Sequence, residues 1–215
     1  MKSALFVLAL APIFASACVT DLAGSGVPKD ATIDVAPFHR VYVENAIPVE
    51  VAIGPAGPVK IHGDDNIVPL IRVAVVGDEL RIDVPDDRGV APAEPLRILV
   101  SAPSLDAIKA SGAATVHATG LTGQSVSLSA SGASTVVASG AVASANEGAS
   151  GGSTIDATSL AADVVHLDLS GASKGHVRAT TAADGIVSGG SSAEVYGAPA
   201  TRKVETSGGS RVDYR

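Results

Sequence analysis

Six serines each followed by glycine are the first residues whose type and spacing could do chemistry. They are Ser111-Gly112, Ser131-Gly132, Ser150-Gly151, Ser170-Gly171, Ser188-Gly189 and Ser207-Gly208. A Ser-Gly pair suits a nucleophile elbow, but that chemistry needs one strained serine beside a base. Six equivalent serines recurring every 18 to 20 residues have no matching set of bases, and they read as repeated structural corners. Six residues after the corner serines stand His117, Val137, Asp156, His176, Glu194 and Asp213. On strands stacked in register, Asp156, His176, Glu194 and Asp213 share one outward column of imidazole and carboxylate, donors that suit a divalent cation. A solvated strand face is commonly charged too, so these four are metal-ligand candidates and no cofactor is assigned.

Weaker constellations point elsewhere. Thr115, Thr135 and Thr154 form a second outward column, but Lys174 and Arg211 interrupt it, which argues against a flat ice-binding array. Gly63-Asp64-Asp65-Asn66 carries oxygen donors without the ligand spacing of a calcium loop, and reads as a turn. His39 and His62 have no cysteine or carboxylate at ligand spacing and receive no role. Asp156 with Lys174 is the one acid and base pair that a polysaccharide lyase could use. The chain is not expected to be an enzyme.

The amino terminus has the anatomy of an export signal: Lys2, an apolar run from Ala4 to Phe14, then Ala15-Ser16-Ala17 before Cys18. That run is too short to span a bilayer. Ala-x-Ala suits an ordinary signal peptidase, while Ala15-Ser16-Ala17-Cys18 also matches a lipobox, with Ala15 where leucine is usual. Cys18 is the only cysteine, so it forms no internal disulfide, and diacylation would account for an unpaired thiol on an exported chain. The expected division is a signal peptide over 1–17, a tether over 18–35 and a folded region over 36–215. The membrane is then one partner, through Cys18.

Among 215 residues the chain has 23 glycines, no tryptophan, three tyrosines and three phenylalanines, and 46% of its residues are hydrophobic. Small and β-branched side chains of this kind suit thin stacked layers. A formal charge of −7 opposes nucleic-acid binding, which needs a basic surface to release counterions.

The elements that would position these residues are strands. Over 36–100, Val41 and Val43, then Val49, Val51 and Ile53, alternate with period two. Gly54-Pro55 and Gly57-Pro58 are turns, and Gly77-Asp78 between apolar runs signals a hairpin. From Ser101 to the end the Ser-Gly repeat takes over. Each copy is a corner followed by an alternating run such as Thr154-Ile155-Asp156-Ala157, and an apolar residue usually stands three before the corner (Ile108, Leu128, Leu167, Val204); Glu147 and Gly185 break that pattern. One repeat should supply two short strands and two turns. A unit that buries only a few such side chains, at about 1.5–3 kcal/mol each, cannot offset roughly 1–2 kcal/mol of backbone entropy per residue and must stack on its neighbours. The expected fold is all-β, a right-handed parallel β-helix with repeats of about 19 residues, Val116, Val136 and Ile155 forming an internal ladder and glycine allowing positive φ at each corner.

Arg40-Val41-Tyr42-Val43, Val49-Glu50-Val51, Val59-Lys60-Ile61-His62-Gly63-Asp64-Asp65-Asn66, Leu80-Arg81-Ile82 and the Ser-Gly rungs together resemble the putative auto-transporter adhesin family called the head GIN domain, over about residues 36–215. The resemblance implies a β-helical domain on exported bacterial proteins and brings no catalytic residues. The function expected is a noncatalytic cell-envelope module, periplasmic or at the outer membrane or cell surface, contacting a protein or glycan ligand. A polysaccharide-binding or polysaccharide-cleaving protein, and a structural component forming homo-oligomers through an end rung, are the alternatives.

Overall fold

A computed structural model describes residues 21–85 and 89–215; Cys18 and the segment expected as a signal peptide lie outside the described residues. The first strands described are β1 (Leu22–Ala23) and β2 (Pro28–Ile33), followed by β3 (Arg40–Val43), β4 (Pro48–Ile53) and β5 (Val59–Asp64). After a 3-10 turn at Val68–Leu70 come β6 (Arg72–Val76), β7 (Glu79–Asp83), β8 (Val90–Ala91), β9 (Arg97–Ala102) and β10 (Ala107–Ala110). Four long strands, β11 (Thr115–Ala130), β12 (Thr135–Ala149), β13 (Thr154–Leu169) and β14 (Lys174–Val187), form the body, and β15 (Ser192–Tyr196), β16 (Thr201–Thr206) and β17 (Arg211–Tyr214) complete it. No α-helix occurs among the described residues.

The body is a parallel β-solenoid of about five turns. β11, β12, β13 and β14 pair in parallel, each with the next, and Val116, Val136 and Ile155 stand in register with their side chains fully buried. Period-two alternation therefore does what it predicts, sending one set of side chains inward to a continuous core and the other to solvent. The expected two strands per repeat are instead one bent strand. Register shifts after Ala118, Val137 and Ala157 take the place of the second turn, because a bulge bends a strand without ending its ladder.

The division at residue 100 is not where the solenoid begins. β3 lies beside β10, and β4 lies beside the first part of β11, all in parallel. Between β3 and β4, Asn45 and Ala46 take φ of 64° and 58°, and the Ala46 amide donates to the Gly112 carbonyl at 2.8 Å. Residues 40–53 are thus a full rung whose corner reads Glu-Asn-Ala-Ile instead of Ser-Gly-Ala-Ser. The chain then passes beneath it: β7 pairs with β3 and β9 with β4, both in parallel. Only after laying this lower layer does it return to start β10 on the upper side.

Antiparallel strands close that lower end. β6 pairs with β7, the hairpin expected at Gly77-Asp78, and β5 pairs with β9 and with β2. The stretch 18–35, expected as a tether, is therefore structured from Leu22 onward: β1 pairs with β8 and β2 with β5. Two causes are visible. Ala31 and Ile33 pack against the core, and the fully buried Asp64 accepts the amides of Gly26 at 2.6 Å, Ala93 at 3.0 Å and Glu94 at 3.2 Å. At the other end β16 and β17 form a rung on β14 and β15, and the Arg202 guanidinium lies 4.7 Å from the centre of the Tyr214 ring.

Candidate functional site

The outward column forms as the spacing requires. His117, Val137, Asp156, His176, Glu194 and Asp213 are successive register partners, and the column continues below His117 through Glu50 to Leu99. That lower extension was hidden because the rung at 40–53 lacks the corner motif. The four metal-ligand candidates share the column without converging. Asp156 accepts from the Thr158 amide at 3.1 Å and hydroxyl at 2.7 Å. Glu194 accepts from the Tyr196 hydroxyl at 2.7 Å and Arg215 at 2.9 Å, with His176 at 3.5 Å. The Tyr196 and Arg215 hydrogen bonds outweigh burial and hold the Glu194 carboxyl down to about 2. Asp213 faces Arg211 at 3.6 Å. Each carboxylate is turned toward a neighbour on the sheet surface, and among the described residues no three His, Cys, Asp or Glu side chains come together to hold a metal ion. Thr115, Thr135, Thr154 and Lys174 likewise stand in one column.

At the corners the expected glycines Gly112, Gly132, Gly151, Gly171, Gly189 and Gly208 all have φ between 61° and 74°. Glycine is the residue that takes this conformation without a Cβ penalty, and at Gly151 a Cβ would also come within 2.8 Å of the Gly132 carbonyl oxygen on the rung below. The serine that builds the corner, however, is the one three positions later. Ser134, Ser153, Ser173 and Ser191 are buried. The Ser153 hydroxyl meets the Ser150 carbonyl at 2.8 Å and the Ala130 carbonyl of the rung below at 2.9 Å; Ser173 and Ser210 repeat the pattern, and Ser134 bonds Ser131 and Ala110 likewise. The recurrence of serine at that position was the signal available in the sequence.

The family profile described as putative auto-transporter adhesin, head GIN domain, matches residues 37–199. The chain belongs to this family. Solved structures share the fold of this head GIN domain. A putative adhesin from Bacteroides fragilis superposes with a TM-score of 0.74 at 22% identity, covering 90% of this chain and 100% of that one. A putative adhesin from Parabacteroides distasonis gives 0.57 at 17% identity over 90% and 100%. A putative lipid binding protein from the same species gives 0.56 at 14% identity over 91% and 100%. No curated protein sequence matches the chain significantly.

Polar pairs that the sequence left unassigned decorate the head GIN domain. His62 lies 2.7 Å from Asp30, which strand pairing places directly opposite it, and His39 lies 2.8 Å from Asp78. These are exposed pairs of small energetic weight. Asp64, read as part of a turn, is a structural carboxylate: burial pushes it up, but the amides of Gly26, Glu94 and Ala93 outweigh that and hold it below the ordinary carboxylate range. Its oxygens are engaged by those amides, which gives Asp64 a structural role in tying the Gly63–Asn66 turn to the segments around it.

Proposed function

We propose that this head GIN domain protein is a noncatalytic, exported cell-envelope module that binds a surface partner, protein or glycan, and is anchored to the membrane through lipid on Cys18. The observation that carries this reading is the set of outward columns held in register on a rigid scaffold. Side chains one strand spacing apart, about 4.8 Å, present many weak contacts whose positions are fixed before binding, which lowers the ordering cost of association. Asp156 and Glu194 on these columns are hydrogen-bonded to neighbours on their own strands, Thr158 and Tyr196, an arrangement that suits contact more than proton transfer. Membership of an adhesin-described family supports the same reading.

The address and the contact are tested together. Protein expressed with its native amino terminus should show diacyl mass on the cysteine and sediment with membranes, and Cys18→Ser should release it in soluble form. Beads coated with the purified protein should attach to cells of the producing bacterium or their extracellular matrix, whereas beads carrying heat-denatured protein should not. Soluble, unmodified protein would remove the anchor, and equal attachment by both bead types would remove the interaction module.

A further inference from the structure

The sheet face just ahead of the corners holds a cleft of about 480 Å³. Its floor is another outward column, Tyr42, Lys109, Ser129, Gly148 and Asp168, one residue from each of five successive rungs. Ser131, Ser150 and Ser170 line the corner side. At the lower end Glu79 holds Arg81 at 2.9 Å and Lys109 at 3.2 Å, and Arg81 lies 5.9 Å from the centre of the Tyr42 ring.

Three observations separate this cleft from an ordinary groove between columns. First, the hydroxyls of Ser129, Ser131, Ser150 and Ser170 make no hydrogen bond to the described residues, although the buried Ser153 and Ser173 and the half-buried Ser210 each share their hydroxyl proton between two carbonyls. At Ser131, Ser150 and Ser170 the first corner serine is thus not bound into the turn and its hydroxyl is free for another partner, whereas Ser111 meets Tyr42 and Glu44 and Ser188 meets the Leu169 carbonyl. Second, Gly148 at the centre of the floor is not required by the fold: its φ is not in the left-handed region, and a Cβ there would meet no atom nearer than the Ser129 hydroxyl oxygen at 3.9 Å. Glycine weakens a strand, and what it provides here is open space. Third, the charges lining the cleft balance, Arg81 and Lys109 against Glu79 and Asp168.

That balance selects neither a polyanion nor a polycation. Arg81 and Lys109 keep N–H donors beyond those used on Glu79, the serines can donate or accept, and Asp168 is a carboxylate acceptor with no hydrogen-bond or ion-pair partner among the described residues. Donors, hydroxyls and an acceptor in sequence along a trough, with a ring at one end, complement a chain rich in hydroxyl groups. Lys109 and Asp168 are three strand spacings apart, about 14 Å, which suits an extended oligomer better than a single sugar. We propose that this cleft binds an uncharged glycan chain laid along the solenoid axis from Lys109 to Asp168. The proposal rests on the interaction-module reading and names the ligand class of one site within it.

Native gels cast with dextran, laminarin or mannan, and with polygalacturonate as an anionic comparison, test it on the purified protein. At least one neutral polysaccharide should retard the protein. Gly148→Leu, which fills the floor, should weaken that retardation at least tenfold with an unchanged melting temperature, while Thr122→Val on an exposed part of β11 should leave it intact. If Gly148→Leu fails to fold, Asp168→Ala and Ser150→Ala, which alter only side chains without intramolecular partners, should weaken binding severalfold instead. Retardation by none of the neutral polymers, retardation only by polygalacturonate, or native-like binding by the cleft variants would overturn the proposal. Bead attachment by the native protein without retardation in any neutral polymer would overturn the glycan cleft alone, whereas loss of attachment by the native protein would remove the interaction reading as well.

Discussion

Glu147 is the residue at which this core departs from its own pattern. It stands in the inward column between Leu128 and Leu167, is 2% exposed, and its Oε2 has no hydrogen-bond partner. Burial first, and the Asp156 charge second, push its carboxyl from 4.5 up to about 8. An acid raised in the folded state destabilises the fold wherever only the unfolded chain ionises. Stability should therefore be unaffected by this group below pH 4.5, fall between about pH 4.5 and 8, and level off above. Glu147→Leu should remove that slope and raise stability at pH 7 by about 3 kcal/mol, read from urea melts at pH 5, 7 and 9. The corner serines allow a paired comparison at the same scale. Ser153→Ala should cost about 1–2 kcal/mol, since the one hydroxyl proton shared between the Ser150 and Ala130 carbonyls is lost in a buried setting, whereas Ser150→Ala should stay within about 0.5 kcal/mol. Equal costs in chemical denaturation would contradict the division of labour between the two serines.

At the scale of elements, the close stacking of rungs limits what the bends will accept. Gly140 has φ of 139°, and a Cβ there would lie 2.0 Å from the Leu121 carbonyl oxygen. A clash with backbone cannot be relieved by rotating a side chain, so Gly140→Ala should destabilise by more than ~2 kcal/mol, seen as a lowered melting temperature. The antiparallel cap depends on a different device. Asp64 ties the segment before β2 and the loop before β9 to the end of β5 through amide donors. Asp64→Ala should speed amide hydrogen exchange across residues 21–33 before it is felt in β12 or β13; uniform loss of protection would show that the cap and the body open as one unit.

The whole molecule folds against its own chain order. The rung at 40–53 lies between a layer made of β7 and β9, which come later in the chain, and the rung that starts at β10. The repeat array therefore does not own its lower boundary. A fragment of residues 101–215 would expose the edges of β10 and β11 and the buried Ile108 and Val116, so it should fail to give a stable monomer. Far-ultraviolet circular dichroism and sedimentation of that fragment check this; a soluble, cooperatively melting monomer would restore the boundary at residue 100.

The sequence by itself determined the features that repeat locally: the all-β class, the 18 to 20 residue period, glycine at the corners and the outward column from His117 to Asp213. Each follows from side-chain alternation or from a backbone conformation that glycine adopts freely, and both are properties of a few consecutive residues. The tertiary structure decided what depends on residues far apart in the chain. The Glu-Asn-Ala-Ile corner carries no motif and is recognisable only because Gly112 stacks on it. Leu22 to Ile33 reads as a tether until β5 and β8 supply strand partners. The buried role of Ser153, against the free hydroxyl of Ser150, depends on a carbonyl of the rung below. The metal-ligand candidates share a column, but the direction each side chain takes is set by Thr158, Tyr196, Arg211 and Arg215, whose positions the strand spacing does not specify.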